Sequence, residues 1–81
     1  MADLHVHLRD GRTLEAWLSP TSGDAYEVSV DGLPGPATWR PSRAEALAWL
    51  WDGCPDDEGH PRYVVAALTW VGDSTPTKRA P

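Results

Sequence analysis

The 81 residues, 41% hydrophobic and 23% charged, suffice for one small domain and are too few for two. That excludes large enzyme scaffolds such as the (β/α)₈ barrel, which needs about 250 residues. Twelve acidic side chains against seven basic give a formal net charge of −5, and Ser74–Pro81 holds Lys78 and Arg79 with no acid, so the preceding body is more negative still. Such a body repels phosphate, which argues against direct nucleic-acid binding, and it suits a basic partner.

Leu4-His5-Val6-His7-Leu8 alternates strictly and predicts a half-buried strand with both histidines on its outer face. Asp10-Gly11 is a two-residue hairpin signal. A second strand is expected from Thr13 to Leu18, with Leu14, Ala16 and Leu18 inward and Glu15 and Trp17 outward. Pro20 to Asp24 is turn chemistry, and Tyr26, Val28 and Val30 alternate as a third strand. Gly32 to Pro36 bends the chain, after which Ala37 to Arg40 can form a short edge strand.

Ser42-Arg43-Ala44-Glu45 is a capping box that opens a helix from Arg43 to Asp52, stopped by Gly53. Ala44, Leu47, Leu50 and Trp51 make its predicted apolar stripe, with Trp49 on the opposite side near Glu45. Asp56 to Pro61 follows as an acidic loop. Tyr63 to Val71 reads as a long strand, apolar on both faces, with Val65, Ala67 and Val71 on one and Val64, Ala66, Leu68 and Trp70 on the other. Two apolar faces are expected of a central strand or of one backed by a partner. The expected fold is α+β: an antiparallel sheet of four to five strands with one helix on one face, in the order β-β-β-(β)-α-β. Residues 1–73 form the domain, and 74–81 are expected to be a disordered tail.

Cys54 is the only cysteine, so no disulfide framework exists and a cytoplasmic, reducing setting is expected. No basic segment precedes an apolar stretch, and the longest apolar run is only Val64 to Leu68. Neither secretion nor membrane association is therefore expected.

The loudest local motif, Asp3 to Gly11, resembles the signature around the first metal-binding histidine pair of dihydroorotases and related amidohydrolases. That resemblance implies a barrel with a carboxylated lysine, two further histidines and an aspartate. Here the only lysine is Lys78 and the only other histidine is His60, so the match is a coincidence of an alternating strand and a turn. His5 and His7 still share a strand face and make a candidate metal pair with Cys54 or His60, against the plainer reading of two solvated side chains. Four ligands at zinc spacing are missing, so no metal or cofactor is expected. Cys54 has no helix N-terminus beside it to lower its pKa. No nucleophile elbow or glycine-rich phosphate loop is present, so no catalytic residue is assigned and no enzyme is expected.

Trp49 has two readings: packed beneath the Asp56 to Pro61 loop, or an interface anchor, since exposed Trp is enriched at binding hot spots. Asp52, Asp56, Asp57 and Glu58 beside it are either a solvated loop or a contact for a basic partner. Together with Trp49 they form the expected partner-binding set. Should Trp49 be core instead, the interface is to be sought on the sheet, around Trp17 and Trp70. A single helix leaves one sheet face uncovered, which predicts a homodimer through Val64, Leu68 and Trp70.

From Thr13 to Val71 the chain resembles the HicB-type antitoxin domain. Tyr26, Val28 and Val30 match its Y-x-V-x-V strand. Leu33, Pro34, Gly35 and Thr38 match its bend, and Ser42, Glu45, Ala46 and Leu47 match its helix start, all without a gap. The resemblance implies a dimerising α/β domain that blocks a small basic ribonuclease toxin. The Leu4 to Leu8 strand is additional, Asp31-Gly32 replaces the usual Pro-Asp, and Arg40 replaces a bulge glycine. No ribbon-helix-helix or helix-turn-helix segment follows, so autorepression on DNA is not implied. The expected function is a non-catalytic inhibitor or antitoxin-like module that masks a basic nucleic-acid-binding or nuclease partner. A phage-encoded inhibitor of a host defence nuclease and a structural homodimer are the alternatives.

Overall fold

The computed structural model describes residues 2–33 and 37–72; the expected bend at Pro34-Gly35-Pro36 and the expected tail from Ser74 lie outside them. Five strands and one helix follow in the order β1 (Leu4–Leu8), β2 (Thr13–Pro20), β3 (Tyr26–Val30), β4 (Thr38–Arg40), α1 (Arg43–Trp51) and β5 (Val65–Trp70). The strands form one sheet in the order β4-β3-β2-β1-β5, antiparallel at every pairing. This is the expected α+β architecture, with α1 packed against one sheet face.

Alternation sets that face. Leu4, Val6 and Leu8 of β1, Ala16 and Leu18 of β2, and Val28 and Val30 of β3 are all buried beneath the helix. Each large side chain so buried contributes roughly 1.5–3 kcal/mol relative to exposure. The β1–β2 connection is a three-residue loop rather than the two-residue turn expected. Leu8 N–H donates to the Arg12 carbonyl at 2.8 Å, and Gly11 N–H donates back to the Leu8 carbonyl at 3.1 Å. Gly11, at φ 94°, supplies the left-handed residue that such a loop requires. Where β1 runs out, Asp3 completes the ladder: its carboxylate accepts from Leu18 N–H at 2.8 Å, and its carbonyl accepts from Val71 N–H at 3.0 Å.

The helix starts as its cap predicts, with Glu45 N–H donating to Ser42 Oγ at 3.2 Å. Its buried face, however, is Ala46, Trp49 and Leu50, with Leu47 and Trp51 at the flanks and Ala44 exposed. The stripe therefore lies about a third of a turn from the expected one, with Leu50 common to both, and the reason is local. From Ala44 to Trp51 only Glu45 is polar, so apolar spacing alone leaves the phase of the helix open.

β5 also differs from expectation. It begins at Val65 rather than Tyr63 and lies at the sheet edge, paired only with β1. A register shift between His7 and Leu8 sets His7 opposite Ala67 but Leu8 opposite Val65. This bulge brings Val65 to the same side as Leu68 and Trp70. Counting in twos across it inverts the faces. Leu68 is fully buried in the core, and Trp70 is half-buried beneath the Arg43 guanidinium, 4.5 Å from its ring centroid.

Candidate functional site

The helix end and the acidic loop form a rigid corner. Gly53, at φ 87°, ends the helix, and a Cβ there would collide with the Tyr63 carbonyl oxygen. The Gly53 carbonyl accepts from Arg62 N–H at 2.9 Å and from Tyr63 N–H at 3.2 Å, folding the loop back on itself. Arg62 Nη1 donates to the carbonyls of Cys54 (2.7 Å) and Pro55 (3.1 Å). Asp56 works inward: its Oδ1 accepts the backbone N–H groups of Glu58 and His60, each at 2.9 Å. The His60 amide, with help from the Glu58 amide, holds the Asp56 carboxyl below the ordinary carboxylate range. Asp52, Asp57 and Glu58 are exposed. Of the expected acidic contacts, three thus present carboxylates outward, while Asp56 is occupied in shaping the loop.

Trp49 is a core residue, 7% exposed. This settles the two readings of its environment, yet the cover differs from the loop expected: the Arg40 guanidinium of β4 lies 5.4 Å from the ring centroid. The expected set of Trp49 with the acidic residues is therefore not assembled as a surface anchor with a charged rim. The expected dimer set is also divided. Val64 is 64% exposed, whereas Leu68 is interior and Trp70 faces the helix side. The bulge in β5 is the physical cause.

The uncovered sheet face carries the other parity of each strand: His5 and His7 of β1, Glu15 and Trp17 of β2, Glu27 and Ser29 of β3, and Trp39 of β4. Trp39 sits opposite Glu27, and Trp17 opposite Ser29. Trp39 is 57% exposed and Trp17 is half-buried. His7 bridges three strands, with Nε2 at 2.8 Å from Thr69 Oγ1 and Nδ1 at 3.4 Å from Thr13 Oγ1. His5 stands edge-on to it at 6.3 Å. Cys54 belongs to the core beneath the other face, so the histidine pair and the thiol do not converge. Burial pushes the Cys54 thiol up to about 12, against a smaller opposing pull from Arg62. Among the described residues no three His, Cys, Asp or Glu side chains gather as a metal site, and no helix is long and apolar enough to cross a membrane.

Compared with protein-family models, curated proteins and solved structures, the chain matches none. The candidate site is therefore defined by the face itself. Trp39 is the residue that sequence reasoning missed. Its signal was present: a tryptophan alternating with Thr38 and Arg40 in a short edge strand. Only the register against Glu27 of β3 places it on the open side, with β3 between it and the strand that carries Trp17.

Proposed function

We propose that the protein is a non-catalytic, antitoxin-like inhibitor that masks a basic nucleic-acid-binding protein or nuclease through the uncovered face of its sheet. The supporting observation is the make-up of that face. Trp17 and Trp39 accompany Glu15 and Glu27, and among the described strand residues of that parity there is no lysine or arginine. Indoles of this kind serve as binding anchors, and carboxylates around them steer a cationic partner. The net charge of −5 and the exposed Asp57 and Glu58 add to the same field. The likeness of residues 13 to 71 to HicB-type antitoxins points the same way.

The test is affinity capture from the native host with wild-type bait and with the double variant Trp17→Ala, Trp39→Ala. The reading expects a basic nuclease or nucleic-acid-binding protein that the variant loses and that the purified wild-type protein inhibits. Identical captures by both baits, or a captured nuclease that remains fully active, would refute it.

A structural homodimer is a second reading, favoured by the outer edge of β5. Val65–Trp70 has neither charge nor proline, the devices that usually blunt an edge strand. Pairing two such edges would continue one sheet into the next. Sedimentation equilibrium at micromolar concentration showing only the 8.9 kDa species would dismiss this reading.

A further inference from the structure

We infer that the hollow between the β1–β2 hairpin and the start of β5 is an anion site for a phosphate monoester carried on an apolar or aromatic body. The hollow measures about 440 Å³, and its walls include Arg9, Asp10, Arg12, Arg62, Tyr63 and Val64. In a chain of net charge −5, three of the seven basic side chains thus gather around one cavity with a single acid.

That acid is already engaged. Asp10 Oδ1 accepts from Arg12 N–H at 2.9 Å, and its Oδ2 accepts from Arg12 Nε at 2.7 Å. The Arg12 amide, followed by its guanidinium, keeps the Asp10 carboxyl below its ordinary range. Arg12 is thereby fixed with its terminal nitrogens uncommitted, 5.9 Å from the Tyr63 ring centroid. Arg62 is fixed by its Nη1 bonds to the Cys54 and Pro55 carbonyls, which leave its other nitrogens free to donate. Arg9 is held through its backbone, whose N–H donates to the Val64 carbonyl at 3.0 Å. Its guanidinium has no partner among the described residues.

Three guanidinium forks against one neutralised acid suit a dianion with three acceptor oxygens better than a carboxylate with one charge and two oxygens. A second hollow of about 340 Å³ shares Arg9, Tyr63 and Val64 and extends toward Trp51, Pro61 and Val65, with Asp52 also on its wall. Trp51, Pro61, Val64 and Val65 there offer the organic part of the ligand an aromatic and apolar surface. The acidic Asp52 at the same wall confines the phosphate group to the arginine-lined hollow. The inference is independent of the proposed masking role, since it uses none of Trp17, Trp39, Glu15 or Glu27.

The experiment titrates the isotopically labelled full chain with phenyl phosphate at low ionic strength, following backbone amide resonances by NMR. Saturable shifts centred on the amides of Arg9, Arg12, Tyr63 and Val64 are expected. Arg9→Ala should weaken binding about tenfold with no change in melting temperature, and Arg9→Glu should abolish it. Arg43→Ala, on the helix beside Trp70, should leave the affinity intact. Benzoate and inorganic phosphate should each bind more weakly than phenyl phosphate. Absence of saturation in the millimolar range, an Arg9→Ala affinity equal to wild type, or benzoate binding as tightly as phenyl phosphate would overturn the assignment.

Discussion

Replacing Trp49 by Ala measures how far the helix phase controls stability. The indole is 7% exposed and lies between the sheet and the Arg40 guanidinium. An indole buries roughly 200 Å², and at about 25 cal/mol per Å² that corresponds to about 5 kcal/mol. The alanine that remains keeps part of this, while the cavity adds a cost, so a loss of about 3–5 kcal/mol is expected. No hydrogen bond is forfeited, because Trp49 Nε1 has no protein partner. The contact with Arg40 adds at most about 1 kcal/mol. Against a total stability of about 4–12 kcal/mol for a chain of this length, the variant loses about a quarter or more of the total and is unfolded only if the wild type lies at the low end of that range. Urea unfolding at 25 °C followed by far-UV circular dichroism reads the effect directly. Trp39→Ala is the matched control, expected to change stability by less than about 0.5 kcal/mol. If Trp49→Ala lost less than about 1 kcal/mol, α1 would have to be rotated and the packing argument would fail.

Three further outcomes are expected. Gly53→Ala should destabilise by at least about 2 kcal/mol in the same urea assay, since it combines a left-handed φ of 87° with a Cβ driven into the Tyr63 carbonyl; a neutral effect would contradict the corner geometry. Cys54 favours its neutral thiol in the folded state, so its contribution is complete below the unfolded value near 9 and is lost as pH rises toward about 12. Stability should fall on that alkaline limb by up to about 1.4 kcal/mol per pH unit, and Cys54→Ala should flatten the limb. Asp56 is shifted the other way, so its contribution is present above the ordinary carboxylate range and is lost as pH falls through its lowered value. Asp56→Ala should speed hydrogen exchange at the amides of Glu58 and His60 while leaving exchange in β1 and β2 unaltered.

Strand elements with one buried face were legible from sequence because their alternation is uninterrupted. Leu4, Val6 and Leu8 could face only one way, and Tyr26, Val28 and Val30 followed the same rule. The helix start was equally legible, since Ser42 and Glu45 satisfy a local hydrogen bond that needs no tertiary partner. The phase of the helix was not, because a run of alanine, leucine and tryptophan offers several equally apolar faces. Bulk decided it: the face with Trp49 and Leu50 fills more volume against β3 and β5 than one centred on Ala44. β5 misled for a different reason. A bulge breaks the period of two, and nothing in Val64 to Leu68 marks where the extra residue falls. The open face became visible only once register joined Trp39 to Glu27 and Trp17 to Ser29.

The bond from Val71 N–H to the Asp3 carbonyl brings residues near opposite ends of the described chain side by side, at the same end of the β1–β5 ladder. Tension applied between Asp3 and Val71 would load that ladder as a zipper rather than in shear. The pairs Leu4 with Trp70, His5 with Thr69 and Val6 with Leu68 would separate in succession instead of together. The same adjacency would let a short peptide bridge join the two positions, turning the weakest direction of pull into a closed ring.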